Sequence, residues 1–410
     1  MNKLKLFIAY LYIFTMPMVD VLSFSPWIPL PLMLGGLLLI YSKKIVYDKC
    51  DYLIVLTILF SVIPYFWSFD YIGVKTISHF FALIVSVIIY YFLTKTIIRE
   101  LISSGKSQGL VTAICISLIT CSLYICVEFF SDNFFGLDID NYISHMTRFS
   151  YDAIVLNGVY RARGFASESG VMAIYFEMYF FILIGLHRLY KINNKKTDLI
   201  KLTIFLSLMA FLLLFSTASV LVLALGCIFI FFRQGISLRW IAFSSAISVI
   251  MAVFFYNQIE NYIENTFLKK VAIFYSDEKI GSASERSEIY SKNLDVFFNF
   301  PFGIGHGIAP EVAYQDTNYF GLSLIAGQVS IFLMFLISGG ILALIFLILW
   351  ILNKMNKARK GEMKNYVIAS ILVVVSHYML VSEYWLPFFW SSFALYSEMY
   401  LIEKDISNRS

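Results

Sequence analysis

The sequence predicts an all-α, polytopic integral membrane protein of about 12 transmembrane helices, and three observations carry that expectation. Apolar side chains make up 60% of the 410 residues and charged ones 14%, far from the balance of a soluble globular chain. The apolar residues gather into long runs, many of them long enough to cross a bilayer. Lysines and arginines fall on every second connection between those runs, so the charges sort by side.

Taken in order, the predicted spans lie near 4–20, 27–41, 52–67, 74–97, 109–130, 168–190, 198–215, 217–232, 238–256, 317–352, 365–381 and 386–403. The tenth is long enough to be tilted, or broken at Gly339-Gly340. The connections with Lys3/Lys5, Lys43/Lys44/Lys49, Lys95/Arg99/Lys106, Arg188/Lys191/Lys195/Lys196, Arg233/Arg239 and Lys354/Lys357/Arg359/Lys360 all fall on one side. By the positive-inside tendency that side is the cytoplasm, and both termini lie there. The links Ser23–Pro26, Trp67–Gly73, Ser216–Ala218 and Ser382–Pro387 carry almost no positive charge and fall on the other side. One transmembrane domain, 1–410, then projects two long outer loops, 131–167 and 257–316.

The second outer loop is the most polar part of the chain. Ser282-x-x-Glu285 reads as a capping box that starts a helix, and Tyr290, Leu294, Phe297 and Phe298 give that helix an apolar stripe. It is short and charged, so it is expected to lie along the membrane surface. Pro301, Gly303, Gly305 and Gly307 then make a turn-rich run whose backbone can approach something closely. Arg286, His306 and Asp316 are the candidate functional residues here.

The first outer loop ends in Tyr160-Arg-Ala-Arg-Gly-Phe-Ala-Ser-Glu-Ser-Gly170. Arg161 and Arg163 stand before a tight turn and the start of a helix, a combination suited to phosphate or pyrophosphate. Glu168 complements the helix dipole or takes a polar role in the site.

Composition excludes several classes. The net charge of +4 gives no nucleic-acid signature. Cys50, Cys115, Cys121, Cys126 and Cys227 lack metal-ligand spacing, and four of them fall in apolar runs, as reduced buried thiols do. No P-loop, dinucleotide fingerprint or zinc spacing occurs, so neither metal nor cofactor is expected. A site on the outer loops is out of reach of ATP and nucleotide sugars. Its substrate must arrive already activated, on a membrane lipid.

Several stretches, in order, resemble the O-antigen polymerases and related ligases. They are Arg163-Gly-Phe-x-x-Glu168-Ser169 ahead of a membrane helix, the turn Ser216-Thr-Ala-Ser219, Arg286 opening a helix, Phe300-Pro-Phe-Gly-Ile-Gly305, and Asp316-Thr-Asn318-Tyr leading into a helix with Gly327. Thr317 stands where many relatives, ligases especially, have His, and Phe300 where Asn is common. The resemblance implies an integral-membrane, all-helical glycosyltransferase in the bacterial inner membrane with its site facing the periplasm. It would transfer a growing chain from undecaprenyl pyrophosphate to a new lipid-linked oligosaccharide repeat, with a chain-length regulator as a further partner.

That chemistry fits the residues. Arg163, Arg286 and Arg161 can hold a pyrophosphate leaving group, and a base must reach the acceptor hydroxyl. Asp316, His306 and Glu168 compete for that role. His79 and His377 lie within spans, and neither forms part of a cluster in the sequence. The alternative functions are an O-antigen ligase, or a flippase or transporter of lipid-linked oligosaccharide. A transporter calls for internal repeats or paired broken helices, and the sequence shows neither.

Overall fold

The computed structural model describes residues 2–23, 28–42, 44–139, 155–156, 159–214, 216–234, 282–315 and 330–408. The predicted span 238–256, the start of the predicted span 317–352, Asp316 and most of both long loops lie outside the described residues.

Helices stand where the apolar runs predict them. In chain order they are α1 (Lys3–Thr15), α2 (Leu30–Tyr41), α3 (Tyr52–Val62), α4 (Val74–Ser103), α5 (Ser107–Phe135), α6 (Ser169–Ile192), α7 (Asp198–Leu213), α8 (Thr217–Gln234), α9 (Ser282–Asn299), α10 (Ile308–Tyr314), α11 (Ile331–Ala358), α12 (Lys364–Tyr378) and α13 (Pro387–Ser407). A two-residue antiparallel pair, β1 (Val155–Leu156) with β2 (Val159–Tyr160), precedes the arginine turn. Among the described residues five helical stretches are long and apolar enough to cross a membrane: Lys49–Phe66, α4, α5, α6 and α11. These are the features of an all-helical, polytopic membrane protein.

Two helices form the centre. α6 and α13 are buried on nearly every face, as helices apolar all round should be. α6 packs on α12 and α7, and α13 packs on α4, α11 and α12. Phe389, Trp390 and Phe393 of α13 close around Trp350 of α11. Leu and Phe side chains left exposed on α2, α3, α7 and α8 mark an outer surface that lipid can cover.

The glycine run of the second loop approaches backbone, and that backbone is the protein's own. α11 breaks at Gly340 (φ 66°, ψ −164°), as the Gly339-Gly340 pair predicts. The turn Pro301–Gly307 fills the break. Ile304 N–H donates to the Ile337 carbonyl (2.8 Å), Gly305 N–H to Ser338 (2.9 Å), and Ile341 N–H returns to Pro301 (3.1 Å). On its other side the turn meets the end of α3, where Pro64 opens a short 3₁₀ turn over Ile63–Phe66. His306 N–H donates to the Ser61 carbonyl (3.0 Å), and Trp67 Nε1–H to Gly303 (3.1 Å). Non-helical backbone at this depth needs such internal partners, because lipid offers none.

Gly340 occupies a region of backbone space almost closed to other residues, and a Cβ there would lie 2.2 Å from the Pro301 carbonyl oxygen. Gly340→Ala is therefore expected to destabilise the protein by about 2 kcal/mol or more, read as a lower melting temperature in detergent. Gly36→Ala, with nothing within 4 Å of the added carbon, is the matched control. Equal melting temperatures for the two variants would refute the plugged break.

The helix α9 forms, and Leu294 and Phe298 of the expected apolar stripe are exposed on it, where a membrane surface can take them. Ile289, Asn293 and Val296 face inward instead, and Val296 packs with Ile304 and Ile337. Asn293 disguised that face in the sequence, because a polar residue interrupts its apolar period.

The end of the bundle with the basic connections is closed by a charge network. Asp51, 2% exposed, accepts from Lys95 Nζ (2.5 Å), Lys354 Nζ (2.5 Å) and the Tyr91 hydroxyl (2.5 Å), and both lysines are fully buried. Asp48 binds Lys95, Arg99 and Lys357, and Arg99 Nε reaches Glu398 (2.8 Å). Lys95 and Lys354, counted in the sequence among the positive charges of the connections, tie α4 and α11 to the turn before α3.

Candidate active site

The opposite end holds the arginine turn. Glu128, wholly buried on α5, accepts two backbone bonds: Arg163 N–H to Oε1 and Gly164 N–H to Oε2, both 2.8 Å. Asp20 Oδ2 accepts from Ser167 N–H (2.8 Å), and Phe165 stacks on Tyr124 at 4.6 Å. Gly164 has φ +65°, and a Cβ there would crowd Ile125 and Met172 at 3.1 Å, so only glycine suits this turn. The hairpin is held by Asn133, which bonds the Tyr160 N–H and carbonyl (2.9 Å each).

Arg161, Arg163 and Glu168 thus come together at the N-terminal end of α6. Arg163 is 3% exposed, and the Arg161 guanidinium donates to the Ser169 hydroxyl. Glu168 is the N-cap residue of α6, exposed and making no capping bond. The backbone donors that the sequence offered to an anion are partly taken: Glu128 and Asp20 occupy those of Arg163, Gly164 and Ser167. The first turn of α6 remains as an anion-binding feature of the helix end. Two buried carboxylates offset the two arginines. Holding a dianion therefore calls for a third cation.

Arg286, the candidate for that cation, is described at the level of its backbone. It sits in the first turns of α9, four residues before Tyr290, whose hydroxyl bonds the Met379 carbonyl beyond α12. Asp316 lies outside the described residues.

His306 belongs to a second cluster. It is 1% exposed, with Nδ1 at 3.4 Å from the Ser338 hydroxyl and its ring edge-on to Tyr384 at 4.9 Å. The Tyr384 hydroxyl in turn meets His79 Nδ1 at 2.6 Å. Burial, with His79 nearby, pushes the His306 imidazole down to about 3. Burial thus favours the neutral imidazole, packed against Tyr384 in the turn. Glu311, unremarked in the sequence, accepts from Thr76 N–H (3.0 Å) and caps the start of α4.

A third polar group escaped the sequence reading. His377 Nδ1 lies 2.8 Å from Glu177 Oε2, with Glu177 0% and His377 1% exposed. Their partnership across 200 residues leaves no sequence signal. The only hint was an ionisable residue inside each of two apolar runs. Among the described residues no group of three or more His, Cys, Asp or Glu side chains could hold a metal ion.

Comparison with known proteins returns one family. Residues 202–348 match the family Wzy_C, described as O-antigen ligase. No curated protein matches the chain. The matched segment spans α7 and α8, the second outer loop and most of α11, and so includes Arg286, the plugged break and the turn at Ser216. Over these residues, about a third of its length, the chain is similar to the O-antigen polymerase/ligase family.

Proposed function

We propose that the protein is a glycosyltransferase that polymerises oligosaccharide repeat units carried on undecaprenyl pyrophosphate. It would act at the periplasmic face of the bacterial inner membrane, with both termini in the cytoplasm. The observation that carries this reading is the Arg161–Arg163 turn, clasped by Glu128 and Asp20 at the head of α6, in a chain whose residues 202–348 match this family. Cleaving a sugar–pyrophosphate bond leaves negative charge on the leaving group. Guanidinium groups carried on a main chain that buried carboxylates hold in place can stabilise that charge as it develops. Arg286 supplies the third positive charge once α9 lies over the donor, and Asp316 is a base for the acceptor hydroxyl. Thr317, where ligases carry His, favours polymerase over ligase. The ligase stands as the second reading because the family is described by that activity.

The test uses purified full-length protein in lipid nanodiscs, given the host's undecaprenyl-pyrophosphate repeat unit with or without lipid A–core. A ladder of lipid-linked multimers with release of undecaprenyl pyrophosphate, formed from the repeat unit alone, is the expected result. Transfer only onto lipid A–core would make the protein a ligase. No consumption of donor under either condition would overturn glycosyl transfer.

A further inference from the structure

We infer that a cleft between the last turns of α6 and the start of α12 binds a zwitterionic phospholipid, its phosphate on Arg188 and its primary ammonium on Glu362. The inference does not depend on the reading of the protein as a glycosyltransferase.

The cleft follows from the spacing of four residues. Gly185, Arg188, Leu189 and Ile192 stand at i, i+3, i+4 and i+7 of α6, so they share one face of that helix. At Gly185 this face meets α12 closely: a Cβ there would lie 2.8 Å from Met363 and 3.0 Å from Tyr366. Next to that contact an open space of about 320 Å³ remains, at the small end of the range for ligand sites. Leu189, Met363 and Tyr366 are buried and give it an apolar wall. Arg188 and Glu362 are exposed, as is Ile192, so the two charges stand where the space opens.

The main chain under Glu362 is already held. Glu403 of α13 accepts from Glu362 N–H (2.6 Å) and Met363 N–H (3.3 Å), which satisfies the end of α12. The charges on offer in the cleft are therefore those of side chains. Glu398, on the same helix as Glu403, pairs with Arg99, which places the cleft at the end of the bundle with the basic connections. Lys191, Lys196 and Lys364 are exposed around it. Basic recesses between helices at this level are where lipid head groups dock.

The pair of opposite charges selects the ligand. A purely anionic head would be repelled by Glu362, and a purely cationic one by Arg188. A phosphate with an ammonium beside it satisfies both. The planar guanidinium grips two phosphate oxygens, and the carboxylate accepts from an ammonium N–H. Ile192 and the apolar wall next to these charges suit an acyl chain, which a soluble head group lacks.

The test uses purified full-length protein in detergent with lipids added, binding being read by native mass spectrometry and by melting temperature. Phosphatidylethanolamine is expected to stabilise the protein and to bind about tenfold tighter than phosphatidylcholine, whose methylated ammonium cannot donate to Glu362. Phosphatidylglycerol, without an ammonium, is expected to bind about tenfold weaker as well. Glu362→Ala should bring the ethanolamine and choline lipids level, and Arg188→Gln should weaken all three by about tenfold. Both residues are exposed, so these variants are expected to fold. Lys191→Gln, one turn away and outside the cleft, should change nothing. Equal affinity of the wild type for the three lipids, or tightest binding of phosphatidylglycerol, overturns the zwitterionic site. A loss at Lys191→Gln equal to that at Arg188→Gln reduces the attraction to general positive charge and overturns it too. Full stabilisation by soluble O-phosphoethanolamine would give the cleft to a free head group and overturn the lipid.

Discussion

Arg163→Ala is expected to cut polymer formation by about ten- to a hundredfold, and Arg163→Lys to recover little of it. A charge-assisted contact to a desolvated phosphate is worth about 1.5–3 kcal/mol, and each 1.4 kcal/mol is a factor of ten in rate. Lysine keeps the charge but loses the planar fork that grips two oxygens at once. The local structure sharpens the expectation. Glu128 clasps the main chain at Arg163 and Gly164, and the alanine variant keeps that clasp. Turnover is expected to fall in protein that still elutes as wild type on size-exclusion. Glu128→Ala should reproduce the catalytic loss by a different route, because the buried backbone donors of Arg163 and Gly164 lose their partner and the turn drifts. Gel analysis of lipid-linked glycan at matched expression decides the matter. Full-length polymer from Arg163→Ala would remove this arginine from the site.

The largest effect on stability is expected at the other end of the molecule. Asp51→Ala leaves the fully buried ammonium groups of Lys95 and Lys354 without the carboxylate between them. Removing one partner of a buried ion pair costs about 3–5 kcal/mol, and here a single carboxylate serves two cations. Failure to recover monodisperse protein from detergent is the expected outcome. The triple variant Asp51→Leu, Lys95→Met, Lys354→Met should restore folding, because an apolar core of similar volume has no charge to desolvate. Normal yield and melting behaviour for Asp51→Ala alone would show that the lysines find other partners. The network also bears on topology: Lys95 and Lys354 count towards the positively charged side, yet both are neutralised inside the fold. The charge bias of that side then rests on exposed residues such as Lys191 and Lys196.

What the sequence by itself determined is the part of this protein that depends on local pattern. Apolar runs of bilayer length predicted where the helices stand, because a chain in lipid must satisfy its backbone within each segment. The break at Gly339-Gly340 and the turn at Gly303–Gly307 were legible for a similar reason: the backbone conformations observed there are open mainly to glycine. The arginine turn at the head of α6 was legible as a motif. What fills the helix break was not, since the Gly303 turn and Gly340 meet only when α11 has packed on α3. Nor was the inward face of α9, where Asn293 interrupts the apolar period and two overlapping stripes compete. Only the tertiary structure decided the partners of the buried acids. Asp51 takes Lys354 from 303 residues away, Glu177 takes His377 from 200, and Glu128 clasps a turn 35 residues on. Each reads in the sequence as a lone acid in or beside an apolar run. A buried charge must be compensated, but the cost of leaving it unpaired says nothing about where in the chain the compensating group lies; helix packing alone selects it.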